Sequence, residues 1–382
     1  MDAIFQVFVI FLAATIASEL VRPLRQPAIV AEIAAGAILG PHALGWIHID
    51  QATSILASLG IVILMFAVGL ELRVSDVRTV GVAAFGASIA GVVVTSSVAF
   101  GVLAAFGQPP SAGLRAGVAL SATSAGIGAR MLADLKRVRS RAGRVVLGAA
   151  VVDDVVVLLA LSLVLTQGTS QSRASIVASA VSAIAFVALV ASIGPWLARR
   201  HGRLLGSPLL RQPPSVFALA MCLGLAALSE RVGLAALVGA FLAGMTFAET
   251  RDEIQLESAM QPLYEFLVPF FFVISGARVD LGALQDAGVG LPIALIMTTI
   301  LAKLAGAGLG AFGLSRRERF FVGAAMIPRG EVTLAAAATA LASGAITRSL
   351  YATLVSTVFV TTIVAPLVLR PAARPTTDEG PP

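Results

Sequence analysis

The chain has 382 residues, 58% of them hydrophobic and only 13% charged, with a mean hydropathy of +0.94. Apolar runs recur from end to end and leave no polar stretch long enough for a second, water-soluble domain, so one integral membrane unit is expected. A net charge of +6 and a pI near 10.6 would suit nucleic acid. The basic residues, however, lie in short loops between apolar runs and form no single patch, which argues against that partner.

The apolar runs predict an all-α polytopic membrane protein of about thirteen spans. In order these are Ala3 to Val21, Pro27 to Leu39, Thr53 to Leu70, Val80 to Phe106, Leu114 to Leu135 and Val145 to Leu165. Then follow Ile176 to Ala198, Val216 to Ser229, Leu234 to Ala248, Gln261 to Ser275, Leu291 to Phe312, Phe320 to Ala342 and Leu350 to Leu369. No basic segment precedes Ala3, and the first run is too long for a signal peptide's apolar region, so it reads as a retained helix. Residues 1–370 are expected to form the membrane unit, and 371–382, rich in Pro and polar residues, a short disordered tail with no soluble domain behind it.

An odd number of spans must alternate sides, and Lys and Arg favour cytoplasmic loops. With the N-terminus outside, the cytoplasmic ends and loops collect most of the basic residues, Arg130 and the run from Lys136 to Arg144 among them; the other side holds only Arg115, Arg173, Arg231, Arg278 and Arg348. That asymmetry predicts an N-out, C-in orientation. Glu32 and Glu71 fall near the cytoplasmic ends, where plain solvation is expected. His42, His48 and His201 are spaced too far apart for a metal cluster, and the lone Cys222 cannot form an internal disulfide.

The sixth span carries VVDDVVV, residues 151 to 157, with Asp153 and Asp154 side by side in an apolar helix. An acid at the centre of a membrane helix costs roughly 2.5–3.5 kcal/mol on the most lenient scale, so it normally faces a water-filled path or a partner charge. The eleventh span holds Lys303, the only lysine in the membrane region. Counted from the expected cytoplasmic ends, Asp154 and Lys303 both lie roughly 13–14 Å deep. Neighbours on a helix diverge by about 100°, so the two acids cannot serve one partner equally. One is expected to meet Lys303 and the other an ion; a purely structural or snorkelling Lys303 is the plainer alternative.

Two further spans read as interrupted helices. The fifth contains Ser121, Thr123, Ser124, Gly126 and Gly128; the twelfth contains Ile327-Pro328-Arg329-Gly330-Glu331, where proline removes a donor and glycine loosens the backbone. Paired interruptions expose half-helix ends with partial charges near the membrane midplane. Small-residue packing and a simple proline kink would explain them more plainly. Arg329 and Glu331, so deep, are expected to pair locally or with the dipoles of the breaks.

SATSAGIGARMLADL followed by GAAVVDDVVVL resembles the paired core helices of the cation/proton antiporter 2 family. PAIVAEIAAGAILGPHALG, LMFAVGLEL, GLAALVGAFLAG, FFFVISGARVDLG and MIPRGEVTLAAAA extend the likeness over nearly the whole chain. The resemblance implies inverted repeats with two crossing broken helices, a mobile core domain beside a dimerisation domain, and a homodimer in a bacterial inner membrane that serves pH homeostasis. It implies Asp154 as the acid that binds cation and proton, Asp153 as the partner of Lys303, Thr123 and Ser124 beside the ion, and Arg329 and Glu331 in the second break. No cofactor is implied, and the partners are membrane lipid, a monovalent cation and protons.

The activity expected is therefore secondary active exchange of Na+ (or Li+) for H+ by alternating access, with Asp154 as the metal site for Na+. A buried carboxylate favours its proton and a bound cation favours its charge, so the two compete for one acid. A second proton carried by Lys303 or Asp153 would make exchange electrogenic. K+/H+ exchange is the alternative, weakened by the absence of a glutamine before the aspartate and of a nucleotide-binding domain. An intramembrane aspartyl protease needs its acids on different helices to share a proton, which adjacent residues cannot do; a passive channel would show flux not coupled to protons.

Overall fold

The computed structural model describes residues 3–23, 28–72, 79–165, 173–205, 214–248, 256–278, 289–342 and 344–372. Among these residues the secondary structure consists of fifteen helices, with no strand. The first seven are α1 (Ala3–Val21), α2 (Ala28–Leu39), α3 (Gln51–Leu70), α4 (Gly81–Ala105), α5 (Pro110–Ser121), α6 (Ala125–Asp134) and α7 (Arg141–Leu165). After them come α8 (Arg173–Leu205), α9 (Pro214–Arg231), α10 (Ala236–Ala248) and α11 (Leu256–Ala277). The last four are α12 (Gly290–Gly310), α13 (Arg316–Ala325), α14 (Glu331–Ala342) and α15 (Arg348–Ala372). Each predicted span has a helix in its place, and the fifth and twelfth have two. Of the tail expected at 371–382, Pro371 and Ala372 belong instead to α15, and 373–382 lie outside the described residues.

Seven of these helices, α1, α3, α4, α9, α11, α12 and α15, are long and apolar enough to cross a membrane. Helix α11 begins five residues earlier than the sequence suggested and accommodates Pro262 and Pro269 inside it; membrane helices tolerate proline where neighbouring groups satisfy the freed carbonyls. Local signals fix other ends. Thr53 N–H donates to Asp50 Oδ1 at 2.8 Å while Asp50 N–H donates to Thr53 Oγ1 at 3.0 Å, a reciprocal cap that starts α3. Ser315 and Glu318 do the same for α13.

Polarity is inverted relative to a soluble protein. Large apolar side chains such as Ile4, Val82 and Leu309 lie on the surface, while Asp153, Lys303 and Arg329 are 1%, 0% and 0% exposed. Apolar burial gains little in lipid, so helix association depends on close packing and on satisfying polar groups inside.

The helices pack in two groups. One comprises α1 to α3 and α8 to α11, with α3 between α10 and α11 and α2 against α11. The other comprises α4 to α7 and α12 to α15, built on the long contact between α4 and α12. Across the boundary the main contacts are α3 with α6, α7 with α8, and α2 with α15. Each group is closed by glycines that let backbones touch. A Cβ on Gly276 of α11 would stand 2.0 Å from Ile33 O of α2, and one on Gly310 of α12 would stand 2.1 Å from Gly86 O of α4.

Gly276→Val should therefore force α2 from α11. The expected cost is about 1–3 kcal/mol or more, read as a lowered Tm and reduced monodisperse yield in detergent; an unchanged Tm would contradict the close approach.

Candidate functional site

Two helix interruptions cross inside the second group. Residues 122–124 separate α5 from α6, with Ala122 and Ser124 in extended conformations (ψ 133° and 104°). Residues 326–330 separate α13 from α14, where Pro328 offers no N–H and Gly330 bears no side chain. Gly330 must stay bare, because a Cβ there would meet Ser124 Oγ at 2.7 Å. The breaks are tied directly: Ser124 N–H donates to Pro328 O at 2.9 Å, and Thr333 Oγ1 donates to Ala119 O at 2.8 Å.

Broken helices leave carbonyls at one half-helix end and N–H groups at the next without intrahelical partners. Here buried charges take them up. Lys303 Nζ, on α12, donates to Ser121 O at the end of α5 at 2.8 Å. Arg329 Nη1 donates to Met326 O at the end of α13 at 3.1 Å. Each half-helix C-terminus thus holds one buried cation, the sign that the helix dipole favours. On the opposite side of the first break, Thr123 N–H donates to Asp153 Oδ2 at 3.0 Å.

Asp153 is therefore the common partner. Its Oδ2 also faces Lys303 Nζ at 3.2 Å, and its Oδ1 accepts from Ser88 Oγ of α4 at 3.1 Å. Both carboxylate oxygens are occupied in a site closed to solvent, which ties α7 to α4, α12 and the first break. Asp154, the next residue round the helix, is partly exposed instead of fully buried, so the two acids occupy different environments. Thr123 and Ser124 lie in the first break, 5% and 1% exposed. Thr123 Oγ1 reaches Met326 O only at 3.5 Å, and Ser124 Oγ has no hydrogen-bond partner among the described residues. A buried hydroxyl without a partner is rare and costly, and it marks a place for a water or an ion.

Arg329 sits in the second break and pairs with break carbonyls; its Nε and Nη2 have no hydrogen-bond partner among the described residues. Thr362 Oγ1 of α15 secures the Arg329 carbonyl at 2.9 Å. A cavity of about 60 Å3 adjoins this break, lined by Arg329, Gly330 and Thr362 together with Phe271 and Ser275 of α11 and Arg278 just beyond it. Glu331 opens α14, and its side chain lies outside the described residues.

Two sequence expectations need correction. Glu32 does not reach water; it is 2% exposed on α2 and pairs with Arg130 at 3.6 Å. Arg130, counted with the loop cations, lies within α6 with its side chain 11% exposed. Proximity to a helix end misled in both cases, because α6 is a half-helix whose end is packed against the other helix group. The sequence also gave no hint of Ser88, which looks like the other hydroxyls of α4, or of Gly91, whose Cβ position lies 3.2 Å from Lys303 Nζ.

A family model described as "Sodium/hydrogen exchanger, transmembrane" matches residues 7–374. The high-affinity Na+/H+ antiporter NhaS3 of Synechocystis sp. is 34% identical over 330 residues, covering 84% of this chain and 71% of the relative. The Na+/H+-K+ antiporter GerN of Bacillus cereus is 29% identical and covers 96% and 95%. In architecture, the chain is similar to the sodium proton antiporter MjNhaP1 of Methanocaldococcus jannaschii, with a TM-score of 0.67, 17% identity and coverage of 96% and 95%.

Removing one partner of a buried ion pair strands the other. Asp153→Ala should cost about 3–5 kcal/mol of stability, and Asp153→Ala combined with Lys303→Met should cost less than Asp153→Ala alone. Thermal unfolding of the two variants in one detergent checks this; a double variant weaker by the sum of its parts would contradict the pairing.

Proposed function

The chain belongs to the sodium/hydrogen exchanger family, and on that premise we propose that it exchanges Na+ or Li+ for H+ across a bacterial inner membrane by alternating access. The observation that carries the reading is the pair of acids in unlike surroundings beside two crossed breaks. Asp153 is tied by Lys303, Ser88 and the Thr123 N–H. Asp154 is partly exposed one residue on.

Under this reading Asp154 holds either the cation or a proton, with Thr123 and Ser124 as oxygen donors; the partnerless Ser124 hydroxyl supports that role. Competition for one carboxylate couples the two fluxes. An empty, charged Asp154 resists passage between the faces because its charge would be uncompensated in a low-dielectric interior, which suppresses leak. Lys303 carries the second proton: when it deprotonates, Asp153 keeps Ser88 and the Thr123 N–H as donors, so the acid is not stranded. Exchange is then of two protons for each Na+, and electrogenic. Arg329 and Glu331 hold the second break in shape. K+ is the second reading, favoured by the similarity to GerN, whose name includes that ion.

The group α4 to α7 and α12 to α15 is the moving core of this mechanism, and the other group is the scaffold and homodimer contact. Each half of the core has the same order, a long helix, a broken pair and a long helix, which supports an inverted repeat. The membrane unit runs to the end of α15, with the N-terminus outside and the C-terminal end of α15 on the cytoplasmic side.

In proteoliposomes, Asp154→Asn should abolish cation-dependent proton flux; retained exchange would overturn the assignment of that acid. Lys303→Gln should lose charge movement while any residual exchange becomes electroneutral, and an undiminished current from a solid-supported membrane would remove Lys303 as a proton carrier. Flux compared among Na+, Li+ and K+ gradients decides the cation.

A further inference from the structure

A second buried cluster lies away from the acids. Arg130 of α6 reaches Glu32 of α2 at 3.6 Å, Asp134 of its own helix at 3.0 Å, and the hydroxyl of Tyr264 of α11, to which it donates, at 3.3 Å. Its guanidinium also stands 5.5 Å from the Tyr264 ring centroid and 5.8 Å from that of Phe272. Glu32 and Tyr264 belong to one helix group and Arg130 to the other. The cluster therefore bridges a boundary that few helix pairs cross.

Its position relative to the cavities is informative. The cavity at the second break reaches Ser275 and Arg278, near the C-terminal end of α11. Another, of about 270 Å3, lies two turns and more toward the start of α11, where Val68 of α3, Glu71 just after it, Asp134 of α6, and Glu257 and Tyr264 of α11 line it. Tyr264 and Ser275 are eleven residues apart, roughly 16 Å along a helix. Along α6, Arg130 falls between Ile127, which lines the first cavity, and Asp134, which lines the second.

We propose that Arg130 is a latch between the two helix groups: it closes the site toward the α6 end, and its release from Glu32 and Tyr264 opens that face. The inference rests on the alternating-access reading and adds the contact that must break. A buried ion pair across a moving boundary would normally be costly to part, because each charge is stranded. Here neither is. Arg130 moves with Asp134, its partner on the same helix. Glu32 keeps the Ser18 hydroxyl, which donates to it at 3.3 Å within its own group. The adjoining acid-lined cavity supplies room for water as the groups separate. Glu71, Asp134 and Glu257 line that cavity, so an arriving cation meets an acidic approach.

The test uses single-cysteine reporters in the full chain in lipid nanodiscs, with the parent, whose own Cys222 is buried, as the baseline. Val68→Cys reports the α6-end cavity, and Ser275→Cys the cavity at the break. Arg130→Gln should speed alkylation of Val68→Cys by a membrane-impermeant maleimide by roughly five- to tenfold and slow that of Ser275→Cys. Glu32→Gln should shift both rates the same way, and the double variant should add nothing further, as expected of residues acting through one contact. Unchanged rates would overturn the latch. So would a rise at both reporters, which marks general loosening, or additive effects of the two substitutions. The rates are read without an ion gradient, so their outcome is independent of whether Asp154→Asn loses flux; a failed latch and a failed transport reading are told apart.

Discussion

The contact on which the molecule depends is the buried pair of Asp153 and Lys303, because it solves two problems together. A charged side chain in a membrane interior needs a counter-charge, and an interrupted helix needs partners for its loose backbone groups. Lys303 binds both the acid and the last carbonyl of α5; Asp153 binds both the lysine and the first free N–H of the break. Each charge thus makes the interruption tolerable, and the interruption in turn supplies each charge with a second partner. Arg329 repeats half of this arrangement at the other break, where it takes a carbonyl at the end of α13.

Much of this was legible in the sequence because lipid makes polarity conspicuous. Adjacent acids in VVDDVVV, a solitary Lys303 and a proline-arginine-glycine run all stand out against an apolar background, and each lies at the crossing. The helices themselves follow from apolar runs bounded by charge, and capping pairs such as Asp50 with Thr53 sharpen their ends. Residues whose role depends on which neighbour they face were not legible. Ser88 serves Asp153 from sixty-five positions away in sequence, and nothing distinguishes it locally from Ser96 or Ser97.

Charge near a helix end was the misleading signal. Glu32 and Arg130 looked like groups that reach water, since membrane helices normally end in it. A half-helix breaks that rule, because its ends fall where the other helix group packs. Sequence position along α6 therefore says little about depth, and only the packing of α2, α6 and α11 shows the two charges facing each other.

The link between the two breaks has its own consequence. Ser124 N–H and Pro328 O join them through main-chain atoms, and Thr333 clasps Ala119 from the side. Short of placing a proline at position 124, no substitution deletes the first of these bonds, and shearing one break past the other would leave a buried peptide group unsatisfied at each. The crossing therefore behaves as a single knot of backbone. Relative movement of the two helix groups would accordingly cost less at the seam between them than within the crossing.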